Sequence, residues 1–486
     1  MGDADRVIVI GAGMSGLLAG IRLRDAGIDD FTIYEKGSDI GGTWRDNTYP
    51  GLACDVPSHV YSYSFAPNPD WSQRFSPGPE IQGYLKQTAE RFGVMDRVRL
   101  DSEITRCAWS EGRWHVETAA GETDSADFVI CATGVLHHPN IPEIDGMASF
   151  EGALFHSSRW DHSVSLEGKR LGVVGTGSTA VQIVAAVIDD VAGLSLFQRT
   201  AQWIMPGANQ AYSEEERRMF RRDPAAVASL RAQLDEAFAG QFSNALTDQE
   251  SEGVRLIEER CRAHLESKVV DPDLRERLRP DYRAACKRLV IADGFYEAMQ
   301  RPHAELVTEG IARIEPGGIR SGDGRLHELD VIVLATGFRA HDFMRPMNLT
   351  GRGGRTLDDV WSPTPRAYRS VSMPDFPNFF MIVGPHSPIG NFSLIEISEL
   401  QVDYALQLME RVRSGACREI CATTEATERF NESIQQAMRN TIWMTGCKSW
   451  YLDANGVPAT WPWTVQHFRD VMAKPEWDDF EQVPVG

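Results

Sequence analysis

The sequence is poor in features that mark several large classes of protein. Lysine and arginine number 49 against 69 aspartate and glutamate residues, so the formal net charge is −20. Nucleic acids and anionic membranes attract proteins through a positive face, and we therefore expect neither as a partner. The 12 histidines and 8 cysteines show no spacing typical of zinc ligands, which predicts that no metal is bound.

No apolar run is long enough to suggest a membrane span. The longest, 171–188, is interrupted by glycines and polar residues in a pattern of strand, turn and helix. The N-terminus carries acids where a signal peptide would carry lysine or arginine. The cysteines form no CxxC pair, and most are expected to be buried thiols in a reducing compartment. These patterns predict a cytoplasmic protein, and 486 residues predict two or three domains.

A glycine-rich turn follows the first predicted strand. Gly11, Gly13 and Gly16 are spaced as GxGxxG between a β-branched apolar run and an apolar helical pattern. Glycines at this spacing allow a tight turn, close approach of a pyrophosphate and close packing of helix on strand. The next strand ends in Glu35, 24 residues after Gly11, where a carboxylate would bind ribose hydroxyls. The segment predicts a dinucleotide site, and an exposed strand-end acid is the alternative interpretation of Glu35.

The same order of elements repeats in the second part of the chain. Residues 175–180 follow a strand and precede a helix, with alanine in place of the third glycine. Here the second strand ends in Arg199, again 24 residues after the first glycine. Arginine would attract the 2′-phosphate of NADP, whereas Glu35 suits two free ribose hydroxyls. The turns therefore predict FAD at the first site and NADP(H) at the second, with a solvated surface arginine as the alternative for Arg199.

The order of the elements predicts an α/β fold of two Rossmann-like dinucleotide-binding domains with a helical insertion. The FAD-binding domain would comprise residues 1–145 and 340–486, and the NADP-binding domain residues 146–206 and 286–339. Residues 207–285 would form the helical insertion.

Shorter patterns add local detail. Residues 41–55 are rich in glycine and aromatic side chains, which favours a segment that lines a ligand. Residues 59–65 alternate between apolar and polar, as in a half-buried strand. Ser213 begins a capping-box pattern. The tripeptide Ala-Thr-Gly follows an apolar strand at both 132–134 and 335–337, which is a weak internal repeat.

A fingerprint lies in the stretch that joins the two predicted sites. Residues 150–161 contain Phe150-x-Gly152-x-x-x-His156-x-x-x-Trp160-Asp161. At every fixed position this resembles the fingerprint of type I Baeyer–Villiger monooxygenases. The flavin-containing monooxygenases that oxidise nitrogen and sulfur usually have tyrosine or phenylalanine in place of Trp160. The resemblance covers nearly the whole chain, and residues 41–65 look most like the branch that includes 4-hydroxyacetophenone monooxygenase.

The resemblance implies a reaction that depends on NADPH and FAD. NADPH would reduce FAD, O2 would add to the reduced flavin at C4a, and the resulting peroxyflavin would attack a ketone. The product would be an ester or a lactone. A small-molecule ketone and O2 are then the expected partners of a monomer or homodimer.

The resemblance also assigns roles to particular residues. Arg288 matches the family's active-site arginine, whose permanent charge would stabilise the anionic adduct, and Asp55 matches its paired carboxylate. Trp450 matches the tryptophan that contacts the nicotinamide cofactor. Without the resemblance, these residues would be interpreted as a solvated cation, a turn residue and a core residue. His156 is assigned to the connector between the sites, which is expected to act as a hinge, and not to proton transfer.

The candidate catalytic residues are thus Arg288 and Asp55, and a larger set is expected to bind the cofactors. That set comprises Gly11, Gly13, Met14, Ser15, Gly16, Glu35, Lys36, Gly42, Thr43, Trp44, Asp55, Tyr61, Gly175, Thr176, Gly177, Ser178, Thr179, Ala180, Arg199, Thr200, Lys287, Arg288 and Trp450.

Other flavoprotein classes remain as alternatives. A flavin-containing monooxygenase is disfavoured by Trp160 and by the Lys287-Arg288 pair. A flavin disulfide reductase needs a CxxC or CxxxxC pair near the flavin, and only Cys417 and Cys421 come close, as CxxxC. A non-catalytic flavoprotein is disfavoured by the two intact turns. The substrate pocket is expected to draw on the helical insertion and on residues 384–393 and 443–463.

Overall fold

The computed structural model describes residues 5–390, 392–453 and 455–485. The first four residues, on which part of the expectation for the N-terminus depends, lie outside this range. No helix among the described residues is both long and apolar enough to cross a membrane.

The strands are short and occur along the whole chain. They are β1 (Val7–Ile10), β2 (Phe31–Tyr34), β3 (Val98–Arg99), β4 (Ile104–Ser110), β5 (Arg113–Thr118), β6 (Thr123–Ala126), β7 (Phe128–Cys131), β8 (Ala153–His156), β9 (Arg170–Val174), β10 (Gly193–Phe197), β11 (Ile204–Met205), β12 (Val290–Ile291), β13 (Ala304–Val307), β14 (Ile311–Glu315), β15 (Gly318–Ser321), β16 (Leu326–Glu328), β17 (Val331–Leu334), β18 (Asn348–Thr350), β19 (Phe379–Met381), β20 (Glu419–Ala422) and β21 (Phe480–Val483).

The helices follow most of the parallel strands and fill the region between β11 and β12. They are α1 (Met14–Asp25), α2 (Thr43–Asp46), α3 (Gly78–Arg91), α4 (Ser178–Val187), α5 (Glu214–Arg222), α6 (Pro224–Asp235), α7 (Glu252–Lys268), α8 (Pro272–Arg277), α9 (Phe295–Ala298), α10 (Leu357–Val360), α11 (Leu394–Arg413), α12 (Thr424–Met438) and α13 (Val465–Ala473). A π-helix, Glu236–Ser243, continues α6.

Two five-stranded parallel sheets form the centre of the fold. Their strand orders are β19-β7-β1-β2-β3 and β13-β10-β9-β17-β8. All four residues of β1 and of β17 are buried, as expected for strands that are covered on both faces. In each sheet the turn after a central strand leads into a helix, α1 or α4. The predicted α/β fold with two Rossmann-like sheets is confirmed.

The region between β11 and β12 is helical. The side chain of Ser213 accepts a hydrogen bond from the backbone of Glu216 and completes the predicted capping box at the start of α5. Helix α7 buries Val254, Cys261 and Leu265 on one face, in agreement with its apolar spacing.

The fingerprint stretch belongs to the second sheet, because β8 pairs with β17 at its edge. A Cβ atom at Gly152 would lie 2.3 Å from the carbonyl oxygen of Asp330 and 2.7 Å from the ring of Phe150, so only glycine fits there. Nε2 of His156 lies 3.0 Å from the carbonyl oxygen of Gly337. Gly152 and His156 therefore fasten β8 to the neighbouring strand and its turn, and the hinge function remains a prediction.

The predicted strand at residues 59–65 is wrong, because these residues form turns. Residues 58–63 are buried throughout, so the alternation of side chains does not separate a solvent-exposed face from a buried one. Their hydroxyl groups bond to the backbone instead. Oγ of Ser62 donates to the carbonyl oxygen of Ser58 at 2.8 Å, and the hydroxyl of Tyr63 donates to that of Met14 at 2.6 Å.

One disulfide joins Cys286 to Cys447, with 6.1 Å between their Cα atoms. The other six cysteines are buried thiols, as expected for most of the eight. The bridge is not predictable from spacing, since its cysteines lie 161 positions apart.

Candidate functional site

A cavity of about 1340 Å³ lies at the carboxyl ends of both parallel sheets. It is lined by the turns after β1, β7, β9 and β17 and by the ends of β2 and β10. Crevices at the carboxyl ends of parallel strands are where open α/β sheets bind ligands. The two glycine-rich turns therefore face one shared space.

The turn after β1 requires its glycines. Gly11 has a φ of +103°, and a Cβ atom there would lie 2.6 Å from the carbonyl oxygen of Ala132. A Cβ atom at Gly16 would lie 1.7 Å from the carbonyl oxygen of Gly11. Gly13 and Gly42 approach each other closely on the cavity side, where a side chain would obstruct a ligand. The backbone thus leaves room for a pyrophosphate at the start of α1.

The carboxylate of Glu35 is buried beside this turn, with 4% of the residue exposed, so the exposed alternative is wrong. It accepts hydrogen bonds from the backbone N–H groups of Ala12 and Gly37, each at 2.8 Å, and from Arg45 at 2.6 Å. A carboxylate fixed in this way at the end of β2 fits the ribose hydroxyls of a dinucleotide.

The turn after β9 repeats this geometry. Gly175 has a φ of +119°, and a Cβ atom there would lie 2.3 Å from the carbonyl oxygen of Ala335. Ala132 and Ala335 are the first residues of the two Ala-Thr-Gly segments. In each domain, the repeat therefore places the carbonyl group of its alanine against the first glycine of the turn. Oγ1 of Thr176 donates to the carbonyl oxygen of Thr200 at 2.8 Å and ties the turn to the end of β10.

Two cations lie together at this second turn. Arg199 is exposed and Lys287 is half-buried, and neither forms an ion pair within the described parts of the chain. Burial and the neighbouring charge of Arg199 lower the pKa of Lys287. The ammonium of Lys287 lies 4.4 Å from the ring centre of Tyr282. Adjacent cations without a carboxylate partner fit an anion such as a 2′-phosphate.

The segment 41–55 bridges the two nucleotide turns. The hydroxyl of Tyr49 donates to Oε1 of Gln182 on α4 at 2.9 Å, and Nε2 of Gln182 donates to the carbonyl oxygen of Ala53 at 3.0 Å. A Cβ atom at Gly51 would lie 2.6 Å from the carbonyl oxygen of Gln182. The loop from the first sheet therefore packs directly on the helix of the second.

Arg288 and Asp55 meet where the two turns approach each other. Nη2 of Arg288 lies 2.6 Å from Oδ2 of Asp55, and Nε donates to the same oxygen at 3.1 Å. Nη1 donates to the carbonyl oxygen of Gly390. Burial disfavours the charge of Arg288, but Asp55 and Tyr451 hold its pKa above the ordinary value. The guanidinium is thus a fixed cation, 21% exposed, at the cavity wall.

The remaining candidates divide between the cavity and the interior. Trp450 is 36% exposed at the cavity, and Nε2 of His341 lies 2.9 Å from its carbonyl oxygen. Of the predicted cofactor residues, only Gly16 and Ala180 do not line the cavity. Both lie under their turns, where a small residue permits close packing of the helix. His156 does not line the cavity either.

A second, much smaller cavity of about 10 Å³ shares Lys287, Arg288 and Gly390 with the first. Its other walls are mostly apolar: Phe238, Phe242, Leu246, Ala285, Leu289, Ile291, Trp443 and Tyr451. Phe238 and Phe242 belong to the π-helix, a feature that often marks functional sites. The sequence predicted a pocket formed by the helical insertion and residues 384–393 and 443–463, but not that Gly390 and Tyr451 lie beside Arg288. The positive φ of Gly390 cannot be recognised from amino-acid composition.

Known proteins agree with this arrangement. The profile of the flavin-binding monooxygenase-like family matches residues 4–345. The chain is 48% identical over 474 residues to an uncharacterized monooxygenase of Mycobacterium tuberculosis, covering 97% of this chain and 95% of the relative. It is 40% identical over 469 residues to a Baeyer-Villiger monooxygenase of Streptomyces coelicolor, with coverages of 96% and 90%. The crystal structure of cyclohexanone monooxygenase from Rhodococcus sp. Phi1 bound to NADP+ superposes with a TM-score of 0.89 at 28% identity, covering 99% of each chain.

With two nucleotide turns facing one cavity and a family match over most of its length, the chain belongs to the flavin-binding monooxygenase-like family. Within that family it is a type I Baeyer–Villiger monooxygenase, an enzyme that uses FAD and NADP(H). The likeness to the 4-hydroxyacetophenone monooxygenase branch stays a prediction.

Proposed function

We propose that the protein inserts one oxygen atom of O2 beside the carbonyl group of a small ketone, with NADPH as the reductant, and releases an ester or a lactone. The observation that carries the proposal is the Arg288–Asp55 ion pair at the wall of the nucleotide cavity, with Arg288 also bordering a small, mostly aromatic cavity. The aromatic side chains beside Arg288 favour a ketone with an apolar flank, because such a group gains by leaving water.

Each nucleotide has its own set of residues in this proposal. FAD would lie along the turn of Gly11 and Gly13, with its adenosine ribose at Glu35. NADP(H) would lie along residues 175–180, with its 2′-phosphate between Arg199 and Lys287. Bound together, the two cofactors supply the reducing electrons and the activated oxygen.

The part played by the protein at the reacting atoms is electrostatic. The guanidinium of Arg288 would stabilise the negative charge that develops on the substrate oxygen, and arginine stays charged at any working pH. Asp55 fixes the direction of the guanidinium through two contacts to one oxygen. Trp450 would pack on the nicotinamide side of NADP(H) and restrict the access of water.

The same proposal covers the larger organisation of the molecule. Residues 1–145 and 340–486 would bind FAD, residues 146–206 and 286–339 would bind NADP(H), and residues 207–285 would wall the substrate pocket. The enzyme would work in the cytoplasm as a monomer or a homodimer.

The test is turnover of the purified holoenzyme with NADPH and 18O2 on a panel of apolar ketones and sulfides, analysed by mass spectrometry. An ester or lactone that carries one 18O atom supports the proposal. Sulfoxide alone would favour an enzyme that oxidises heteroatoms. Disulfide reduction is disfavoured in advance, since Cys54 is the only cysteine that lines the large cavity among the described residues.

A further inference from the structure

Tyr451 brings a phenol hydroxyl to the guanidinium of Arg288. The tyrosine is 3% exposed, and its ring lies 6.1 Å from that of Trp443 and 4.3 Å from that of Trp450. A Cβ atom at Gly390 would lie 2.1 Å from the Tyr451 hydroxyl oxygen and 3.3 Å from Nη1 of Arg288. The hydroxyl and the guanidinium therefore meet over Gly390, which has no side chain to separate them.

Three separate segments of the chain surround the guanidinium. Asp55 contacts Nε and Nη2, and the carbonyl oxygen of Gly390 accepts from Nη1. The hydroxyl oxygen of Tyr451 is the third neighbour, since it and Nη1 of Arg288 both lie within 3.3 Å of the position that a Cβ atom would take at Gly390. A guanidinium has five N–H donors in a rigid plane, so contacts on several edges fix its orientation and not only its position.

The backbone around Tyr451 is itself held in place. The N–H of Ala459 donates to the carbonyl oxygen of Tyr451 at 2.7 Å. The disulfide joins Cys447, four residues before Tyr451, to Cys286, two residues before Arg288. The two interacting side chains thus project from segments that are covalently bridged next to them. A hydroxyl on such a support can hold a cation at a fixed angle.

We propose that Tyr451 is a positioning residue of the oxygenation reaction: its hydroxyl orients the Arg288 guanidinium at the wall of the large cavity, where the substrate carbonyl would lie. This inference rests on the proposed function, because it assigns the purpose of the contact to the ketone. Loss of the hydroxyl would leave Arg288 charged and present but without the polar oxygen beside Nη1. Oxygenation should suffer, whereas the steps that need only the nucleotide turns should not.

The test variant is Tyr451→Phe, which keeps the ring and its packing. In the FAD-free protein, labelling of Arg288 by phenylglyoxal, followed by peptide mass spectrometry, should be about tenfold faster than in wild type, the factor expected when a cation loses one polar neighbour. In the holoenzyme, NADPH consumption should stay within about twofold, while the share of NADPH that yields oxygenated product falls about tenfold and hydrogen peroxide takes its place. The KM for the ketone should change little.

Tyr296→Phe is the matched control, since the Tyr296 hydroxyl is buried without a hydrogen-bond partner among the described residues and lies outside both cavities. It should behave as wild type in every assay. Wild-type labelling and coupling in Tyr451→Phe would overturn the inference, as would a raised ketone KM with unchanged coupling, which would make Tyr451 a substrate contact.

The labelling assay also separates the inference from the proposed function. If wild type forms no ester or lactone, the proposed function fails, but the exposure of Arg288 in the FAD-free variant still decides whether Tyr451 holds it. If Tyr451→Phe does not retain FAD, the same assay decides the matter without the cofactor.

Discussion

Replacement of Arg199 by alanine should change the choice between NADPH and NADH. Two unit charges about 4 Å apart interact by about 1 kcal/mol in water, and by about 4 kcal/mol where the effective dielectric constant is about 20. Arg199 is exposed, so the lower figure applies. A phosphate with nearly two charges then contributes about 2 kcal/mol, which corresponds to about a 30-fold rise in the KM for NADPH. NADH lacks the phosphate, and its KM should hardly change.

The assay is steady-state NADPH and NADH oxidation by the FAD-loaded enzyme at low and at high salt. Because exposed charges are screened by ions, the preference of wild type for NADPH should shrink as salt rises, and that of Arg199→Ala should shrink less. Arg222→Ala is the control, since Arg222 is also exposed but lies on α5 outside the cavity. Equal losses with both coenzymes would refute the assignment of Arg199 to the 2′-phosphate.

Three further substitutions test other parts of the structure. Arg288→Lys keeps a charge but loses the planar contacts to Asp55. NADPH-driven flavin reduction should persist, while product formation should fall at least about 100-fold. A normal product yield would contradict the role of the guanidinium. Gly16→Ala places a methyl group against the carbonyl of Gly11 and should destabilise the fold by about 1–3 kcal/mol and lower the FAD content, and an unchanged melting temperature would be contrary to the packing argument. Cys286→Ser with Cys447→Ser should reduce the free energy of unfolding by about 2–5 kcal/mol in denaturant titrations, and a strong thiol should bring wild type to the same value; no difference would show that the bridge does not constrain the unfolded chain.

The parts of the fold that the sequence predicts are those set by local chemistry. Strand β1, with its β-branched apolar residues, and the glycines of the turn that follows have one low-energy arrangement, and the carboxylate 24 positions after Gly11 falls where the arrangement needs it. Arg199 follows from the same spacing in the second turn. In each domain, the strand, the glycines and the charged residue lie within about 30 residues of each other, so a local sequence pattern is enough to predict them.

The features that the sequence does not predict depend on burial and on contacts between distant segments. Residues 59–65 have the alternation of a strand, but residues 59–63 are all buried and their hydroxyl groups bond to the backbone instead. The meeting of Arg288 with Asp55 spans 233 positions, and the resemblance to a family found it where spacing could not. The proximity of Arg288 to Gly390 and Tyr451 depends on how two loops fold back on one another, which no local pattern encodes.

The bridge between Cys286 and Cys447 closes the intervening chain into a covalent ring. Strands β12 to β20 and helices α9 to α12 all lie within this ring. A protease that cuts one exposed loop inside it would leave both fragments attached, so the nicked enzyme would migrate as an intact chain on a denaturing gel until a thiol is added. Both sulfurs are buried, and the ring should therefore open slowly unless the protein unfolds first.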